Sequence, residues 1–316
     1  MKSNHCAVIL VASLWCLSLP TDAVRADTPN LSSNSPVPRQ VALYRQLMHV
    51  NGLDDIVNSA LAQKRAQTHD LILKKSGKAA FSEEEEARFS TIADGVLVQT
   101  RERLIDIISS LQSRTLSEDD LHNLIKAYSL PTTQIYLRAK AENSPEKIAK
   151  IQNFMVSTVV RIVNTLKDPS YVDTSAPPSS DPRVLQAEAL YRVDGTTDLI
   201  RHTVDQTQMP LVLGQVQNYV DVASLTADEK YRMATIAVSA QTQLGDRIIG
   251  LSAENVSRVL TVADLKTLTA VMNIPAQRKV TQLRLNDDGS VDAAAGAALD
   301  SAESEIIRQY EAVSKP

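Results

Sequence analysis

The sequence predicts an all-α protein made of two tandemly duplicated helical bundles joined by a Pro/Ser-rich linker. Three observations predict it. Apolar residues recur at spacings of three and four, and no convincing period-two alternation occurs. Hydroxyl and acidic residues stand three apart at the head of several such runs. The pattern RTLSEDDLHNLIKAYSLP, Arg114 to Pro131, returns as RVLTVADLKTLTAVMNIP, Arg258 to Pro275, an offset of 144 from 114 to 258.

Residues 1–26 read as a secretory signal. Lys2 precedes the apolar run CAVILVASLWCLSLP, and VRA before Asp27 suits a cleavage site. Cleavage there would remove Cys6, Cys16 and Trp15, which are both cysteines and the single tryptophan. The chain from Asp27 onward then forms no disulfide and no thiolate zinc site. Of the 33 basic and 37 acidic residues, cleavage takes Lys2, Arg25 and Asp22, leaving a net charge of −5. That mixed, mildly acidic balance excludes nucleic acid as the main partner, because phosphate neutralisation needs a concentrated basic surface. No stretch after the signal is apolar enough to be a transmembrane segment. Residues 27–38, DTPNLSSNSPVP, have the composition of a flexible tether.

The first repeat copy is expected over 39–168 and the second over 182–316. LMHVNGLDDIV matches LYRVDGTTDLI, aligning Gly52 with Gly195 and Asp55 with Asp198. Glu85, Arg88, Thr91, Ile92 and Ala93 recur at Glu229, Arg232, Thr235, Ile236 and Ala237, and Gln99, Arg103 and Ile105 at Gln243, Arg247 and Ile249. In the first copy Phe89, Ile92, Val96, Thr100, Leu104, Ile107 and Leu111 make one apolar stripe. Ile148, Ile151, Met155, Val159, Ile162 and Leu166 make a second, with a counterpart at Val291, Ala295, Leu299, Ala302, Ile306 and Tyr310. Ser82/Glu85, Ser117/Asp120, Thr226/Glu229 and Thr261/Asp264 are predicted capping boxes. Pro131 and Pro275 interrupt a helix or start a new one. Residues 169–181, within KDPSYVDTSAPPSSDP, read as the linker. The copies form two linked bundles, or alternatively one larger one.

Motifs that carry chemistry are scarce. Ser144-Pro145-Glu146-Lys147 fits the S-x-x-K nucleophile motif, but Ser, Pro and Glu in that order also start a helix. NDDGSVD, Asn286 to Asp292, fails as a calcium loop because Arg284 and Ala295 would occupy ligand positions. His122 neighbours Glu118, Asp119 and Asp120, acids that equally offset a helix dipole in a first turn. No catalytic, cofactor-binding or metal-ligating residue is assigned, and no cofactor is expected. Glu85 with Arg88, and Glu229 with Arg232, are placed to pair along a helix. Arg103 and Arg247 recur without a folding role. Each is expected either in a buried structural pair with a carboxylate or carbonyl, or gripping an anionic ligand or partner.

The segment SEDDLHNLIKAYSLP resembles the bacterial domain-of-unknown-function family 2059. That family reads s-x-x-E-L-x-x-L-x-x-F-Y-x-S-P-x-G here, and Leu121, Leu124, Tyr128 and Pro131 match. Ala127, Leu130 and Thr133 depart from it, and the second copy keeps Leu265, Leu268 and Pro275 with Met272 for the tyrosine. The resemblance implies an α-helical envelope protein with no assigned reaction. The expected function is that of an exported, periplasmic, non-catalytic binding or scaffolding protein, with full secretion as the alternative location. Its partner is expected to be a protein or a small apolar or anionic ligand. The competing reading is an envelope hydrolase without a recognisable motif. A cleft lined by His122, Glu118 and further acids would favour the hydrolase. A groove between bundles lined by Leu, Val and Met would favour binding, and a plain structural spacer would show neither.

Overall fold

The computed structural model describes residues 38–142, 144–168, 170–171, 179–286 and 289–314, and within them every regular element is helical. The expected signal at 1–26, nearly all of the tether and most of the linker lie outside the described residues. In chain order the helices are α1 Pro38–Val50, α2 Leu53–Ser76, α3 Glu83–Gln112, α4 Glu118–Tyr128, α5 Pro131–Ala141 and α6 Pro145–Lys167. They continue as α7 Pro182–Val193, α8 Thr196–Thr203, α9 Met209–Val216, α10 Ala227–Val259, α11 Val262–Met272, α12 Pro275–Leu285 and α13 Ser290–Ser314.

Local chemistry sets most of these boundaries. All four predicted capping boxes form. The Ser82, Ser117, Thr226 and Thr261 hydroxyls each accept from the backbone N–H three residues on, and the acid there accepts from the cap's own N–H. Each box satisfies two backbone donors that the helix leaves open. The Lys78 ammonium, and next the Ser82 N–H, hold the Glu85 carboxyl down at about 2. Glu85 is thereby occupied, and Arg88 pairs instead with Glu84 at 3.1 Å. Pro131, Pro145, Pro182 and Pro275 all open helices, where a missing N–H costs nothing. Between α8 and α9 the residues Val204–Gln208 form a π turn ahead of Pro210. Proline removes a donor and crowds the preceding turn, so the ladder widens there.

Two compact units result, and they divide the chain differently from the copies expected at 39–168 and 182–316. A terminal unit holds α1–α4 together with α13, and a central unit holds α5–α12. In the terminal unit α13 packs along α3 and also against α2, while α1 packs on α4 and α3. In the central unit α6 packs on α10 and α9, and α5 and α7 each pack on α10 and α11. The end helix of each expected copy, α6 or α13, therefore sits among helices assigned to the other. Short loops do not force this, since an end helix can dock wherever its apolar face is covered. A protease site placed at 172–178 and cut should leave two fragments that still co-elute on gel filtration, because α6 and α13 each remain buried among helices of the other fragment. Elution of separate fragments would contradict that packing.

The buried apolar residues of α3 are Phe89, Ala93, Leu97, Leu104, Ile105 and Ile108. Of the expected stripe Phe89, Thr100 and Leu104 are buried, whereas Ile92, Val96, Ile107 and Leu111 are only half-buried, and Ala93, Leu97 and Ile108, each one position on, take the core side. The α13 stripe of Val291, Ala295, Leu299, Ala302, Ile306 and Tyr310 is buried as expected. Phe81 and Phe89 meet Tyr310 at ring distances of 5.4 and 6.4 Å, which fixes the α13 end against the α3 start. Further along, Lys64 of α2 reaches Asp300 at 3.0 Å and Glu303 at 3.2 Å.

Candidate functional site

The shift of the α3 stripe opens a groove between α3 and α13. Its volume is about 530 Å³. Ile92 and Val96 line it on the α3 side instead of entering the core. Three small residues keep it open, namely Gly95 on α3 with Ala298 and Ala302 on α13. A side chain added at Gly95 would meet nothing within 4 Å at its Cβ. Polar groups rim the groove: Gln99 and Arg103 from α3, Ser301, Glu305 and Gln309 from α13.

The two charges of the rim differ in what they face. Glu305 accepts from the Arg308 guanidinium at 2.6 and 2.9 Å and from the Gln309 amide at 2.7 Å. Arg308 first, then Gln309, holds its carboxyl down at about 2. Arg103 is exposed and, among the described residues, makes no hydrogen bond or ion pair. The expected buried structural pair is therefore not formed at Arg103. Its place at the edge of the stripe becomes an outward one once Ala93 and Leu97 take the core side.

Arg247 behaves differently. It is half-buried on α10, donates to the Ser157 hydroxyl at 3.0 Å, and stands 5.9 Å above the Phe154 ring. Its neighbour Arg161 donates to the Gln243 side chain and, at 3.1 Å, to the Ser239 hydroxyl. The recurring arginines thus share a sequence position but not an environment.

The other residues singled out in the sequence serve local structure. Ser144 caps α6 by accepting from the Lys147 N–H at 3.2 Å. The buried Lys147 ammonium, whose pKa desolvation lowers, donates to the Glu142 carbonyl at 3.0 Å. Glu118 pairs with Arg39 at 3.2 Å and Asp120 closes its capping box, so neither joins His122 in a site. Among the described residues no group of three His, Cys, Asp or Glu is placed to hold a metal ion. No described helix is long and apolar enough to cross a membrane.

One polar cluster was not foreseen. In the central unit Asp194 is buried, and its carboxylate accepts from the Tyr136 hydroxyl and, at 2.9 Å, from the Lys140 ammonium. Burial above all, and then the Asp194 charge, pushes the Tyr136 phenol well above its ordinary range. A phenol so placed keeps its proton and acts as a donor. The cluster joins α5 to the α7–α8 turn, and no local spacing signals a contact across 58 residues. The groove did leave a signal. At the offset of 144, Ala298 stands where Phe154 stands, and Gly95 where Ser239 stands. Comparison of the chain with protein-family models, with curated proteins and with solved structures finds no match in any of the three.

Proposed function

We propose that the protein is an exported, periplasmic, non-catalytic binding protein, and that the α3–α13 groove is its ligand site. One observation carries this reading: an exposed guanidinium, Arg103, with no partner among the described residues, at the rim of a groove whose one carboxylate, Glu305, is already bound by Arg308 and Gln309 and whose other lining is amides, hydroxyls and apolar side chains. Those groups recognise and orient a ligand, and Arg103 gives the site its preference for an anion. The volume lies in the range of small-molecule sites, about 300–1,000 Å³. The signal-like residues 1–26 support export, and the likeness of Leu121 to Pro131 to the family 2059 pattern supports an envelope setting. The groove lies within the terminal unit and is more polar than a seam of Leu, Val and Met.

Native mass spectrometry of the protein exported with its own signal tests the reading. The expected result is a chain beginning at Asp27 that carries a small added mass, lost on denaturation. Arg103→Gln should retain the melting temperature and weaken that adduct by about tenfold or more, the scale of one charge-assisted hydrogen bond. A bare chain, or an adduct indifferent to Arg103→Gln, would overturn it.

A further inference from the structure

The helix pair that lines the groove has a counterpart in the central unit by sequence position. At the offset of 144 the α3 residues Gly95, Gln99 and Arg103 correspond to Ser239, Gln243 and Arg247 on α10. The α13 residues Ala298, Ser301, Ala302 and Glu305 correspond to Phe154, Ser157, Thr158 and Arg161 on α6. The helix pairs correspond too, since α6 packs on α10 and α13 packs on α3. In the central unit the Phe154 ring lies under the Arg247 guanidinium. In the terminal unit the ring is replaced by the methyl group of Ala298, and Gly95 removes a further side chain opposite. What remains is a groove at the place of a phenyl ring, beside a guanidinium with no counter-ion.

Resting on the binding reading above, we propose that this groove takes a small aromatic carboxylate. Its ring lies against Ala298 and Gly95 in the position that Phe154 fills in the central unit. Its carboxylate accepts from Arg103. Arginine suits both contacts, because the flat face of the guanidinium stacks on a ring while its edge donates to a carboxylate. Charge selects the anion. The Glu305 carboxylate is already bound by Arg308 and Gln309 and does not answer Arg103. Small residues select the ring, since the methyl of Ala298 stands where Phe154 carries a ring and the hydrogen of Gly95 stands where Ser239 carries a hydroxymethyl group.

The test uses the full chain and three probes: N-acetyl-L-phenylalanine, its C-terminal amide, and N-acetyl-L-alanine. Calorimetric titration should show binding of the first, with at least tenfold weaker binding of the other two, which lack the charge or the ring. Ala298→Phe, which copies the central arrangement, should block binding; Ala298 is buried, so the variant is compared at a temperature where its melt shows it folded. Gly95→Leu is a second block, placed where a new side chain meets nothing within 4 Å. Equal binding of the alanine and phenylalanine probes, no binding of the latter, or binding untouched by both blocking variants would overturn the proposal. An adduct seen by mass spectrometry that is lost in Arg103→Gln but is not an aromatic acid would leave the binding reading standing and sink this inference alone.

Discussion

Alanine at position 195 is expected to prevent the central unit from folding at 37 °C, whereas alanine at position 52 should only lower the melting temperature by several degrees. Both glycines follow the same kind of turn and have nearly equal backbone angles, φ of 83° and 80°. A side chain in that left-handed conformation costs about 1–2 kcal/mol. At Gly52 nothing lies within 4 Å of the added carbon, so that cost is the whole effect. At Gly195 the added carbon would lie 2.0 Å from Thr281 Oγ1, 2.4 Å from its Cγ2 and 2.7 Å from its Cβ. Rotating Thr281 cannot clear its own Cβ, so α12 must withdraw from the turn. That withdrawal breaks the hydrogen bonds from Gln277 and Thr281 to the Asp194 carbonyl, 2.7 and 3.3 Å long. Strain, overpacking and lost buried bonds together exceed about 4 kcal/mol, a large part of a typical domain's stability. Thermal melts of the two variants side by side measure the difference. Equal melting temperatures would show that α12 does not press on the turn.

Asp194→Ala is expected to destabilise the central unit by about 3–5 kcal/mol, the usual cost of removing one partner of a buried ion pair. The Asp194 side chain is 3% exposed and that of Lys140 13%. The carboxylate also accepts from the Thr196 N–H at 2.9 Å, which starts α8. Its removal takes the Asp194 carboxylate from the Lys140 ammonium, which stands 5.3 and 6.0 Å from the Tyr136 and Tyr191 rings. The rings offer only part of the lost stabilisation. Adding Lys140→Met should recover more than 1 kcal/mol in urea unfolding, because the largely buried ammonium that has lost the Asp194 carboxylate is then gone. A single variant that costs under 1 kcal/mol, or a double variant no better than the single, would show that the pair does not hold α5 to the turn. The matching segment LMHVNGLDDIV offers a control. Asn51 occupies the corresponding turn and its side chain accepts from the Leu53 N–H at 3.0 Å, so the local cap is kept without the charge.

The candidate site was half legible. Arg103 stood out because it recurred at Arg247 without a folding role, and the structure places it at the groove. Its partner residues were present in the same alignment, as Ala298 against Phe154 and Gly95 against Ser239. Their meaning needed the knowledge that α13 lies on α3. The predicted α3 stripe held at Phe89, Thr100 and Leu104 and missed at Ile92, Val96, Ile107 and Leu111 for a related reason. The rows Phe89–Ile92–Val96 and Phe89–Ala93–Leu97 both satisfy helical spacing, and Ala93 adds little apolar weight to its row. Only the helix packed against α3 decides which row is covered.

What the sequence determined by itself is what acts over three or four residues: the helical class, the four capping boxes, the prolines that open helices and the pattern of agreement at 144. These rest on bonds within a single turn, which the neighbouring residue types specify. Tertiary structure alone decided which helices share a unit, that Arg103 faces solvent while Arg247 lies beside a ring, and that Asp194 meets Tyr136 and Lys140. Such outcomes depend on which apolar face covers which, and chemically similar faces on both copies leave more than one pairing open until the whole chain has packed.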